Sequence, residues 1–291
     1  MREFFPDFRV RRLRPYDARM LWEPLRLTRP GLFVTGTDTG VGKTVIACAI
    51  AHAIRSHSQR VAVCKPMATG CRREREGLVS DDAEALAHFA DCRLPLEIIN
   101  PVRFHRPLAP AVAAAMAHQT IDYAAIRQSL ARLDAEHDVL LIEGVGGLLV
   151  PIDPDDPKRT VLDLIQAIGY PVVVVARAGL GTLNHTGMTV RLLRQAGCRA
   201  AGLVVNGYEA DSSGKLDAKD DLAMATNRRW LELTTGLRVL ATVPRCPAAE
   251  IAPEKGVIPE AVLEAVGRCH WPSLVGSATA SGSTSAVASG D

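Results

Sequence analysis

The sequence predicts a doubly wound α/β fold: one mostly parallel sheet flanked by helices. Three observations predict it. Short apolar runs rich in Val, Ile and Leu recur along the chain without polar alternation, as strands covered on both faces do. Segments with helical spacing separate them. The first such strand runs straight into a glycine-rich loop and then a helix, GLFVTGTDTGVGKTVIACAIAHAIR, the arrangement of a phosphate-loop nucleotide-binding domain.

The strands are expected at 31–36, 60–66, 138–144, 171–176, 201–206 and 238–243. Helices are expected near 43–57, 80–91, 120–136, 160–168, 184–197, 219–235 and 257–269. In such a fold ligands bind in the crevice beyond the carboxyl ends of the strands, so the residues that close each strand are the candidates for chemistry. A single domain is expected over 30–272. The arginine-rich residues 1–29 read as an irregular leader, because Glu3, Asp7, Asp17 and Glu23 interrupt the acid-poor pattern of a transit peptide. Residues 273–291, rich in Gly, Ser and Ala, read as a disordered tail.

Composition narrows the function. Apolar residues make up 47% and charged residues 23% of the 291 positions, a globular balance. The formal net charge of +2 gives no global attraction to nucleic acid or anionic lipid. Aromatics are only 4%, too few for base-stacking platforms. No apolar run approaches the roughly 20 residues that cross a bilayer, so a cytoplasmic protein without membrane or nucleic-acid partners is expected. Seven cysteines without a CxxC pair read as buried free thiols.

The loop GTDTGVGKT (36–44) is one residue longer than the usual spacing, with five residues between Gly36 and Gly42. Backbone N–H groups at the following helix start can wrap an anion, helped by the helix dipole. Lys43 supplies charge for the β- and γ-phosphates, and the Thr44 hydroxyl is placed to ligate Mg²⁺. The extra length lets Thr37, Asp38 and Thr39 lean over the phosphates. The Asp38 carboxylate, awkward beside them, is expected to point away or cap a turn.

Other strand ends add to the set. KPMATG (65–70) puts Lys65 at the carboxyl edge and Thr69 nearby. A second lysine there neutralises a transferring phosphoryl group or an anionic acceptor, and alone it reads equally as a lysine snorkelling past the sheet. SDDAEAL (80–86) opens a helix with Ser80 or Asp81 as cap and Asp82 in the first turn. LLIEGVGGLLVPI ends a buried strand in Glu143, and Gly144, Gly146 and Gly147 allow close backbone approach to a ligand. RAGLGTLNHT (177–186) starts a helix that can receive a carboxylate. VVNG ends in Asn206, whose amide suits adenine. His185 is set aside as a base, since phosphoryl transfer needs positioning more than proton abstraction.

Taken in chain order, GTDTGVGKT, KPMATG, SDDAEAL, IEGVGGLLVPI, GLGTLNHT and VVNG resemble the dethiobiotin synthetase family over roughly 31–270. The long loop belongs to that family's normal pattern. The resemblance implies a ligase of biotin biosynthesis that closes 7,8-diaminopelargonate with CO₂ and MgATP to dethiobiotin, ADP and phosphate, through a carbamate and a carbamic–phosphoric anhydride. It implies Lys43, Lys65 and Thr39 as catalytic residues. It implies Thr69, Gly146, Leu180, Gly181, Thr182 and Asn184 as substrate contacts. Gly40, Val41, Gly42, Lys43, Thr44, Val45, Glu143, Gly144, Asn206, Gly207, Val243, Pro244 and Arg245 would form the nucleotide site. Thr44, Asp82 and Glu143 would hold Mg²⁺, with Asp82 chosen over Asp81 because Ala83 and Leu86 fit the family spacing. The carboxylate-binding segment 180–184 comes from the second subunit in that family, so a homodimer is implied. Gly40 and Arg245 depart from positions that are acidic or aromatic in some relatives.

Two other readings compete with this one. A cobyrinate-type amidating synthase needs a glutamine-hydrolysing domain with a nucleophilic cysteine, for which no room remains. A partition- or septum-type switch ATPase carries a second lysine near the start of the loop, where this chain has Gly-Thr-Asp-Thr.

Overall fold

The computed structural model describes residues 25–209 and 222–278. Its centre is a six-stranded sheet of β1 (Gly31–Gly36), β2 (Val61–Cys64), β3 (Val139–Glu143), β4 (Val172–Arg177), β5 (Ala200–Tyr208) and β6 (Val239–Pro244), in the order β6-β5-β4-β1-β3-β2. Every pairing is parallel. From β1 the chain crosses to β2 at one edge and returns to β3. It then passes β1 to β4 and builds outward to β6. The loop after β1 therefore lies where the winding reverses, the position at which open α/β sheets bind ligands.

Burial explains why the strands were legible. All residues of β1, β2 and β3 are buried, which is why their runs do not alternate. β6, at one edge, does alternate between buried and half-buried.

The seven expected helices form as α1 (Lys43–Arg55), α2 (Asp81–Ala90), α3 (Tyr123–Glu136), α4 (Val161–Ile168), α5 (Thr182–Gln195), α6 (Leu222–Thr235) and α7 (Glu260–Gly267). The expected start of α6 at 219 lies outside the described residues. α1 packs against α2 and α7, and α5 against α6.

Between β2 and α3 the chain holds more structure than its sequence suggests. Met67–Thr69 pairs with Val102–Phe104, and Arg72–Glu74 with Gly77–Val79; the short helices Leu96–Ile99 and Pro110–Met116 also fall there. Three-residue strands are too short to show a period.

The packed chain extends beyond both expected domain limits. Leu25 N–H donates to the Ala167 carbonyl at 3.1 Å, and the buried Asp134 carboxylate receives Thr28 N, Thr28 Oγ1 and Arg29 N. At the other end Gly276 and Gly31 exchange two backbone hydrogen bonds of 3.0 and 3.1 Å. Residues 25–29 and 273–278 thus belong to the folded body. Residues 1–24 and 279–291 of the expected leader and tail lie outside the described residues. The thiols of Cys48, Cys64, Cys71 and Cys92 are buried and those of Cys198, Cys246 and Cys269 half-buried, all unpaired.

Candidate active site

The loop after β1 closes as an anion cradle through two glycines. Gly40 and Gly42 have φ of 72° and 91°, and Gly42 caps α1 in the left-handed conformation. A Cβ on Gly42 would stand 2.1 Å from Asn206 Nδ2, which itself donates to the Val41 carbonyl at 2.9 Å. Gly42→Ala should therefore cost about 1–2 kcal/mol of left-handed strain and roughly another 1 from the displaced amide hydrogen bond. Nucleotide affinity, read by calorimetric titration, is expected to fall at least tenfold, and unchanged affinity would show that this backbone does not shape the site.

Lys43 opens α1. Its side chain is buried, and Nζ donates to the Asp38 carbonyl at 2.8 Å. Burial lowers its pKa to about 8, and the nearby charge of Lys65 acts in the same direction. The Asp38 carboxylate caps the loop, accepting from Thr39 N at 2.7 Å, and its other oxygen meets Arg177 Nη2 at 3.0 Å.

The second lysine is not a snorkelling one. Lys65 follows β2, is 3% exposed, and lies between two carboxylates. Its Nζ is 2.7 Å from Glu143 Oε1, 2.8 Å from Asp82 Oδ2 and 3.2 Å from the Gly144 carbonyl. Thr44 Oγ1 lies 2.9 Å from Glu143 Oε1 and 3.0 Å from Asp82 Oδ1. Burial acts to strip the Lys65 proton, but the two carboxylates outweigh it and hold its pKa above the usual lysine range. Burial pushes the Glu143 carboxyl upward against the pull of Lys65. For Asp82 burial acts upward too, yet Lys65 and Thr44 prevail and the pKa is lowered.

Asp81 and Asp82, adjacent in sequence, part company here. Ser80 caps α2 through Ala83 N. Asp81 turns to Arg72, which also grips both oxygens of Glu84 at 2.7 Å. Asp82 faces Lys65 and Thr44. The choice is made by Arg72, nine residues away in a hairpin that the sequence does not reveal.

Glu143 Oε2 is buried and has no hydrogen-bond partner. With Thr44 Oγ1 and the Asp82 carboxylate it completes a set of hard oxygen donors from α1, α2 and β3. Such a set fits Mg²⁺, which takes one or two carboxylates and completes its shell with phosphate and water. A cage of three or more His, Cys, Asp or Glu is absent among the described residues, and this mode of binding needs none.

The remaining sequence candidates divide. Thr69 is half-buried at the end of its short strand, Val41 is buried and Val45 half-buried. Gly146 has φ of 63°, and a Cβ there would meet Val150 at 2.6 Å and Thr39 Oγ1 at 3.4 Å, so the turn after β3 lies against the phosphate loop. A Cβ on Gly144 would touch the Phe33 ring. Gly207 has φ of 82°. Val243 is buried beside the half-buried Pro244, and Arg245 pairs with Glu209 at the surface. Leu180, Gly181 and Asn184 are exposed, together with Leu183 and Met188. Thr182 is not: it is wholly buried, with its hydroxyl 3.3 Å from Thr186 Oγ1. As the first residue of α5 its side chain turns inward.

Sequence reasoning missed the links between these segments. Ala178 N donates to the Asn206 carbonyl at 2.9 Å, and Asn227 Nδ2 donates to the Ala178 carbonyl at 2.7 Å. Asn227, 4% exposed on α6, offered one signal, an amide in line with Met224 and Leu231 on the buried face of the helix.

A strand–loop–helix cradle with a buried lysine, a hydroxyl at the helix start and an acid closing the neighbouring strand defines a phosphate-loop nucleoside-triphosphatase. Residues 30–251 match the model of a family described as an AAA domain. Over 205 residues the chain is 44% identical to the ATP-dependent dethiobiotin synthetase BioD of Anaeromyxobacter sp. (strain K), covering 70% of this chain and 88% of that one. It is 34% identical over 220 residues to the synthetase of Thermodesulfovibrio yellowstonii, covering 74% and 89%, and 34% identical over 215 residues to that of Bacillus subtilis (strain 168), covering 74% and 87%. The chain belongs to the ATP-dependent dethiobiotin synthetase family. Among solved structures it also resembles the septum site-determining protein MinD of Pyrococcus horikoshii with Mg-ADP, at 14% identity and a TM-score of 0.48 over 82% of this chain and 93% of that one.

Proposed function

We propose that this chain performs the ring closure of 7,8-diaminopelargonate with CO₂ and ATP, giving dethiobiotin, ADP and phosphate. The observation that carries this reading is the pair of lysines in one cleft. Lys65 is buried between Asp82 and Glu143, and its charge reaches Lys43 on the phosphate loop. The reaction brings two anions together, a carbamate and a γ-phosphate, and cations around them lower its barrier.

One amine of the substrate captures CO₂. A carbamate oxygen attacks the γ-phosphorus, ADP leaves, and the second amine closes the ring on the carbonyl carbon as phosphate departs. No enzymic nucleophile is required. Lys43 leaves the Asp38 carbonyl to meet the phosphates, and Lys65 stabilises the acceptor side. Thr39 and Thr69 offer hydroxyls to the amines or carbamate. Thr44, Asp82 and Glu143 would hold Mg²⁺, which supplies charge neutralisation across the phosphates. With Asn206 Nδ2 committed to Val41, its Oδ1 is left to accept from the adenine amine. The backbone of 243–245 flanks the base.

The exposed Leu180, Leu183 and Met188 support a homodimer in which 180–184 receives the substrate carboxylate of the opposite subunit. A soluble cytoplasmic enzyme fits a chain in which no described helix is long and apolar enough to cross a membrane.

A coupled assay with diaminopelargonate, bicarbonate and MgATP tests the reading. ADP should form in step with dethiobiotin and only when the diamine is present. ATP turnover independent of the diamine and stimulated by DNA or lipid would replace it with a switch ATPase.

A further inference from the structure

The phosphate loop carries its own carboxylate, Asp38, within a cradle whose ligand is a polyanion. Asp38 Oδ1 accepts from Thr39 N at 2.7 Å, and Oδ2 meets Arg177 Nη2 at 3.0 Å. Arg177 closes β4, the neighbour of β1, and the register that sets Gly36 beside Val175 brings it to the loop. The backbone beyond it is held from two sides, by Asn206 and by Asn227. Asp38 also offers its main-chain carbonyl to Lys43 Nζ at 2.8 Å, so one residue meets both the loop's lysine and the guanidinium.

The two side chains are 47% and 52% exposed, and an open pair of this kind adds little to folding. Its effect lies elsewhere. An unpaired carboxylate in the loop would repel the phosphates, whereas a paired one presents nearly no net charge to them.

We propose that Arg177 is a positioning residue for nucleotide binding, which neutralises Asp38 and holds its carboxylate on the β4 side of the phosphate loop. This rests on the reading of residues 36–44 as the nucleotide site. In this role Arg177 acts through Asp38, its ion-pair partner. The repulsion it removes is felt equally by bound ATP and by the transition state, so its loss belongs in KM and not in kcat.

Arg177→Ala should raise the KM for ATP about five- to twentyfold and leave kcat within about twofold. Arg177→Lys, which keeps the charge, should recover most of the affinity. In an Asp38→Asn background the same Arg177→Ala change should cost less than about twofold, because no charge remains to be neutralised. An arginine that merely braced the fold would show the same loss in both backgrounds, and that result overturns the proposal. Lys43→Ala separates this inference from the reading beneath it. Loss of ATP binding in Lys43→Ala with unchanged KM in Arg177→Ala defeats the proposal alone. Unchanged ATP binding in Lys43→Ala defeats both.

Discussion

Lys65→Ala is expected to lower turnover at saturating ATP by about 10²–10³-fold while the KM for ATP changes by less than about threefold. The magnitude follows from removing one preorganised charge from a water-excluded site, worth about 3–4 kcal/mol at a transition state. The split follows from place. Lys65 enters the cleft from β2, across Glu143 from β1 and its loop, and its charge is assigned to the acceptor side. Collapse of ATP binding with a normal rate at saturation would assign Lys65 to the nucleotide instead. The substitution carries a second signature. Asp82 and Glu143 would be left facing each other without a cation. Breaking a buried pair by removing one partner costs about 3–5 kcal/mol, and the low end applies because the Asp82 side chain is 42% exposed and partly screened. Thermal unfolding of Lys65→Ala should therefore show a lowered Tm that Mg²⁺ raises, whereas the wild-type Tm in Mg²⁺ alone should barely move.

Much of this cleft can be read from sequence because its parts sit where chain grammar is strict. Glu143 ends a run of four apolar residues buried on both faces, and an acid there is conspicuous. Gly42-Lys43-Thr44 joins such a strand to a helix. What escaped the sequence depends on contacts between distant segments. Asp82 was chosen over Asp81 by family spacing, but the physical sorting is done by Arg72 in a three-residue ladder. The inward turn of the Thr182 side chain at the start of α5 carries no sequence signal of its own. The glycine-rich stretch after 272 gave no sign of order, and the partner that pairs with it, Gly31, lies near the other end of the sequence. Asp38 was legible as a capping group, but its pairing with Arg177 spans 139 positions.

Glu143→Gln is expected to raise the Mg²⁺ concentration for half-maximal activity at least tenfold and to lower turnover about 100-fold, with little loss of stability. Two opposing effects set the small stability change. Neutralising the residue removes one of the two anions that keep Lys65 charged in a buried place. It also lifts the desolvation burden that already pushes the Glu143 carboxyl upward, and glutamine keeps an oxygen able to accept from Lys65 and Thr44. The effect on the metal has no such offset. Glu143 Oε2 is a buried carboxylate oxygen without a donor, and the variant puts either an amide N–H or a weaker neutral oxygen in its place. A divalent ion loses the anionic ligand that the protein shields fully from water, since Asp82 is partly exposed. Titration of Mn²⁺ by electron paramagnetic resonance in the presence of ADP reads this directly. Metal affinity equal to wild type, with turnover still reduced, would show that Glu143 serves only to hold the Lys65 ammonium, and the oxygen set of Thr44, Asp82 and Glu143 would not be the metal site.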